Sequence, residues 1–132
     1  MRMLLLPFLL ALAGAGAAQP APVPQQQAQP RLVTVLLDSF DFTPRQLHLR
    51  AGQPIVLQLI NQSGRRHNFS APFFFSRAAI APGQPRILSG EIEVPPNGRV
   101  EIRLTPTRGT YELECTHSGH AMIGMEGMIR VD

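Results

Sequence analysis

Near the C-terminus, Cys115-Thr116-His117-Ser118-Gly119-His120-Ala121-Met122-Ile123-Gly124-Met125 holds the chain's one cysteine, two of its four histidines and two of its five methionines. Thiolate, imidazole and thioether are soft-to-borderline donors, a mixture that suits copper better than calcium or magnesium. Cys115, His120 and Met125 follow a Cys-x4-His-x4-Met spacing. A third strong donor is needed, and His67, in Gly64-Arg65-Arg66-His67-Asn68-Phe69, is the well-placed candidate upstream. Two imidazoles and a thiolate in one plane, with a weak axial thioether, let copper pass between Cu(I) and Cu(II) with little rearrangement.

Other donors compete for the same roles. His117 follows Cys115 by two residues, which on strand parity aims it inward too. A fourth strong donor would flatten the site toward tetragonal copper, so His117 is expected beside the site and not in it. Met122 and Met128 flank Met125, and composition alone leaves the axial donor open among them. Met122 comes two residues after His120, too early for the chain to turn back. Met128 shares the outward parity of Arg130, whereas Gly124 and Gly127 give Met125 a tight path under the metal. Met125 is the expected axial donor.

His67 and Cys115 lie far apart in the chain, so a rigid scaffold must bring them together. Short apolar runs broken by Gly, Pro and Asn every eight to twelve residues describe a β-sandwich or barrel. Arg31 to Leu37 is a first strand, apolar on both faces and expected to be internal. Gln46 to Arg50 alternates, with Leu47 and Leu49 inward and His48 outward. Ile55 to Asn61 is a strand, and Gln62 to Arg66 is the loop that delivers His67. Pro72 to Ala79 can form a short helix with Pro in its first turn, its Phe73-Phe74-Phe75 run packing into the core. Leu88 to Val94 and Arg99 to Thr105 are expected to form a hairpin across Pro95-Pro96-Asn97-Gly98. Thr110 to Cys115 places Tyr111, Leu113 and Cys115 on one face, so the cysteine points inward at a strand end. Gly127 to Val131 closes the fold. Asn61-Gln62-Ser63 and Asn68-Phe69-Ser70 fit the glycosylation pattern, a short match prone to false positives.

A chain of 132 residues allows one ordinary domain. Met1-Arg2-Met3, the apolar run from Leu4 to Leu12 and small residues to Ala18 read as a secretory signal, cleaved near Ala17 or Ala18. The run is too short for a comfortable membrane span, so no stable span is expected after its removal. Residues 1–18 are then the signal, 19–31 a Pro/Gln/Ala-rich tether without a core, and 32–132 the domain. Export sharpens the question of Cys115, because an unpaired cysteine in an oxidising compartment needs another use. All twelve basic residues are Arg, and removing Arg2 leaves eleven against nine acids, a net charge of only +2. No basic cluster with interleaved aromatics is present, which excludes nucleic acid as a partner.

At these residues the chain resembles the cupredoxins, the small blue-copper fold of azurin, plastocyanin and rusticyanin. Cys115-Thr116-x-x-Gly119-His120 is similar to the azurin cysteine loop, and the longer step to Met125 is similar to rusticyanin. His67-Asn68, Phe40-x-Phe42-x-Pro44 and Ala51-Gly52 also resemble the family. The resemblance implies an all-β, cupredoxin-like Greek-key sandwich with one short helical segment. It also implies one copper ion held by His67, Cys115, His120 and Met125, with Asn68 and Thr116 tying the two ligand loops together from behind. A single-domain, periplasmic electron-transfer protein without enzymatic activity follows, a monomer served by a c-type cytochrome or a terminal oxidase or reductase. The alternative is a periplasmic copper carrier, for which Met122 and Met128 would suit Cu(I).

Overall fold

The computed structural model describes residues 16, 18–21, 29–117 and 119–132. The expected signal (1–18) and tether (19–31) fall largely outside the described residues.

Five strands come first: β1 (Arg31–Asp38), β2 (Asp41–Thr43), β3 (Gln46–Leu49), β4 (Ile55–Asn61) and β5 (His67–Ser70). Among the described residues one α-helix, α1 (Pro72–Arg77), follows. Then come β6 (Ala79–Ile80), β7 (Glu91–Val94), β8 (Arg99–Thr105), β9 (Gly109–Glu114) and β10 (Glu126–Val131), with a 3-10 turn at Ala121–Ile123 before β10. They form two five-stranded sheets, ordered β2-β1-β4-β8-β6 and β3-β10-β9-β5-β7. β1 pairs with β4 in parallel, as does β10 with β3, and the other ladders are antiparallel. This is the expected all-β sandwich with one short helix.

Alternation along the strands explains the core. Val35 and Leu37, Leu47 and Leu49, Ile55, Leu57 and Leu59, Ile102 and Leu104, and Ile129 and Val131 point between the sheets and are buried. Burial of each such side chain favours folding by about 1.5–3 kcal/mol. β1 is internal in its sheet, as expected, but not apolar-buried on both faces, because Leu32 is 57% exposed. A sandwich covers one face of each sheet and leaves the other to solvent.

The helix has only six residues, Pro72 in its first turn and no side-chain cap, too little to hold by itself. Packing holds it instead. Phe74 and Phe75 are buried, with Phe74 edge-on to Tyr111 and Phe75 edge-on to Phe69. The expectation that the whole Phe run packs inward fails at Phe73, which is 78% exposed. Successive helical positions point about 100° apart, so three in a row cannot all face one core.

The expected hairpin is also absent. β7 pairs with β5 in one sheet, while β8 pairs with β4 in the other. Pro95 to Gly98 is therefore an arch between sheets, turned by the left-handed Asn97 and closed by Gly98 N–H donating to Pro95 O. Two adjacent prolines supply no ladder N–H, which favours such a crossing over a hairpin turn.

Candidate metal centre

His67 opens β5, a strand whose four residues are all buried. Its position is set by Asn61, the last residue of β4. The Asn61 amide donates to the carbonyls of Arg65 (2.7 Å), Val94 (3.1 Å) and Pro95 (3.1 Å). Its oxygen accepts from Ser63 N–H and Oγ–H. Both ends of the loop before His67 are thereby pinned to the interior.

Cys115 follows β9 and continues the inward parity of Tyr111 and Leu113. The loop beyond it closes on itself: Cys115 N–H donates to Met125 O at 3.1 Å, and Met125 N–H to His120 O at 3.0 Å. Gly124 lies in the left-handed region at φ +98°, which other residues seldom adopt. A side chain at Gly127 would stand 2.5 Å from the Arg45 carbonyl oxygen. The two glycines return the chain tightly enough to seat Met125 at 0% exposure, whereas Met122 is 91% exposed and Met128 39%.

His67 and Cys115, forty-eight residues apart, meet with Sγ 3.8 Å from Nδ1. Cys115 Sγ also lies 3.4 Å from His120 Nδ1. The three donor atoms fall within 4.8 Å of one another. Donors bound to one ion at about 2.0–2.3 Å lie roughly 3.5–4.0 Å apart at trigonal angles, close to the two sulfur–nitrogen distances, so the cluster fits a single metal. His67 is wholly buried and His120 partly exposed. His67 Nε2 has no hydrogen-bond partner among the described residues, so packing holds that ring.

Burial lowers the pKa of His67, and the neighbouring His120, His117 and Arg65 lower it further. His120 is lowered by desolvation, His117 and Arg65. Burial raises the Cys115 thiol against the opposing pull of the Asn68 and His117 N–H groups. Neutral imidazoles and a protonated thiol therefore await a metal at neutral pH.

Asn68 and Thr116 join the two loops by a reciprocal pair. Asn68 Nδ2 donates to Thr116 Oγ1 at 2.6 Å, and Thr116 N–H donates to Asn68 Oδ1 at 2.9 Å. His117 places Nε2 3.1 Å from Glu93 Oε2, outside the three-donor cluster. Both glycosylation matches fail on burial, since Asn61 is 1% and Asn68 2% exposed with their amides engaged. Sequence reasoning missed Asn61, Glu93 and Phe40, whose ring meets His120 edge-on at 4.9 Å. Only an Asn closing an apolar strand before a Gly-containing loop could have flagged the first.

The cupredoxin-like domain family matches residues 2–131. No curated protein matches the sequence. Among solved structures, auracyanin B is similar at a TM-score of 0.57 and 21% identity, over 77% of this chain and 88% of that one. Dithionite-reduced auracyanin from the photosynthetic bacterium Roseiflexus castenholzii gives 0.58 and 22%, over 76% and 96%. The multicopper oxidase McoA from the hyperthermophile Aquifex aeolicus gives 0.62 and 14%, over 83% of this chain but 31% of that one. At these identities the likeness is one of fold.

Proposed function

This chain belongs to the cupredoxin-like domain family, and from that premise we propose that it is a single-copper electron carrier. The carrying observation is the buried thiol facing two imidazole Nδ1 atoms at 3.4 and 3.8 Å. In this reading His67, Cys115, His120 and Met125 would hold the copper. Bound copper would supply one-electron chemistry between Cu(I) and Cu(II). The chain's own residues do the rest. The Asn68–Thr116 pair clamps the His67 and Cys115 loops to each other, so neither ligand can drift on a change of charge. The backbone N–H groups of Asn68 and His117 work against the burial that raises the Cys115 thiol. Four protein donors would leave the ion no free position for a substrate, which supports electron transfer without catalysis.

We place the protein in the periplasm, exported by residues 1–18, with a redox protein such as a c-type cytochrome or a terminal oxidase or reductase as partner. A copper carrier is the second reading, favoured by the exposed thioethers of Met122 and Met128. The visible spectrum of the Cu(II) protein tests the proposal. An intense sulfur-to-copper band, abolished in Cys115→Ser, is expected. A colourless wild-type complex would refute the electron carrier and leave the copper carrier.

A further inference from the structure

Phe40 has no role in that account, yet its backbone is strained. It sits in the Ser39-Phe40 turn joining β1 to β2, where Asp38 pairs with Asp41. Its φ is +65°, at the third position of a four-residue turn, where Gly or Asn is favoured. A bulky side chain there is a genuine outlier. Such strain persists where the surroundings over-determine it, and it clusters at functional sites.

Here the surroundings are the candidate ligand. The Phe40 ring stands edge-on to His120, with centroids 4.9 Å apart and planes at 80°. The Arg65 guanidinium lies over Phe40, 6.0 Å from its centroid. Cation, aromatic ring and imidazole thus stack across three separate loops. The two histidines differ in what holds them. His67 is locked in a fully buried strand. His120 is partly exposed, follows Gly119 at φ +78°, and among the described residues its side chain's one hydrogen-bonding contact is with Cys115 Sγ.

We infer that Phe40, backed by Arg65, is a positioning residue that clamps the His120 ring. Its edge keeps Nδ1 aimed at Cys115 and His67 before a metal arrives, and it stops the ring from swinging into solvent when the site is reduced. The strained turn is what carries the ring to that spot: Phe42, two residues on, points into the core. The inference rests on His120 being a ligand, but its first test needs no metal.

Phe40 also packs against the core, so the variants must separate volume from aromatic geometry. Phe40→Leu keeps apolar volume without a ring edge, Phe40→Tyr keeps the edge, and Phe40→Gly relieves the positive φ. In the metal-free protein, NMR relaxation of ring carbons should find His120 as ordered as His67 in the wild type. Phe40→Leu and Phe40→Gly should free His120 alone, and Phe40→Tyr should restore it. With Cu(I) bound, loss of metal to a Cu(I) chelator should be about 10- to 100-fold faster in the Leu and Gly variants, the range for partners that orient a metal-binding histidine. Arg65→Gln should shift it the same way, by less. Phe40→Gly should melt no lower than Phe40→Leu, since relief of strain offsets its extra loss of volume. Wild-type ring order and release rate in Phe40→Leu would overturn the clamp, because volume alone would then suffice. Failure of every variant and the wild type to bind copper would instead overturn the proposed function, with the ring-order measurement still deciding the clamp.

Discussion

Cys115 carries the proton that a metal must displace. Its thiol is raised by burial while His67 and His120 are lowered, so near neutral pH the thiol alone is protonated among the three. Binding then releases one proton, and apparent affinity should rise about tenfold per pH unit through the neutral range. Toward acid the slope should steepen as the imidazoles protonate, at a lower pH than for unperturbed histidines because both are depressed. Competition titrations against a chelator across pH would read both slopes, and a flat profile near neutrality would exclude thiolate ligation. Met125→Leu should leave copper bound and raise the reduction potential, since losing a weak donor disfavours Cu(II); voltammetry measures the sign. His117→Ala should keep the visible band, its Nε2 being turned toward Glu93.

At the scale of elements, the helix and the loop before His67 make opposite demands on their residues. Phe74 anchors α1 against Tyr111, and Phe74→Ala should destabilise by about 3–5 kcal/mol. Phe73→Ala, on an exposed neighbour, should stay within about 0.5 kcal/mol. Thermal melts of the pair distinguish a core helix from an apolar surface one. Asn61 holds the ends of β4, the loop and the β7–β8 arch at one point. Asn61→Ala would leave buried carbonyls unpaired, for about 1–3 kcal/mol, and a melting point lower by about 4–8 °C per kcal/mol. The same variant should loosen His67 and weaken metal binding, which a competition titration would detect.

At the scale of the whole molecule, one packed core holds the candidate donors together. Both sheets contribute to one core, and the two ligand loops leave the same sheet through β5 and β9. A ligand that binds only the folded state raises its stability by about 2.7 kcal/mol at one hundred times its dissociation constant. For a domain of this size that is a rise on the order of 10 °C in melting temperature. Calorimetry with and without Cu(II) should show it, and Cys115→Ser should lose most of the increment. An equal increment in Cys115→Ser would place the bound metal elsewhere.

Much of this was legible in the chain, for identifiable reasons. Strands with one buried face leave a period of two, so the inward parity of Leu47, Leu113, Cys115 and Ile129 could be read directly. The donor types and the Cys-x4-His-x4-Met spacing are local, so the chemistry of the C-terminal loop was readable as well. Contacts between distant segments were not. Whether Val94 and Arg99 flank a hairpin or an arch depends on which sheet each strand joins, and both answers share one local pattern. Phe73 and Phe74 are the same residue type, and only the docked helix decides which faces the core. Asn61 looked like a glycosylation acceptor until burial turned its amide into a brace. Phe40 carries no sign of its partner, because the contact with His120 spans most of the domain and rests on a backbone angle that only the folded turn imposes.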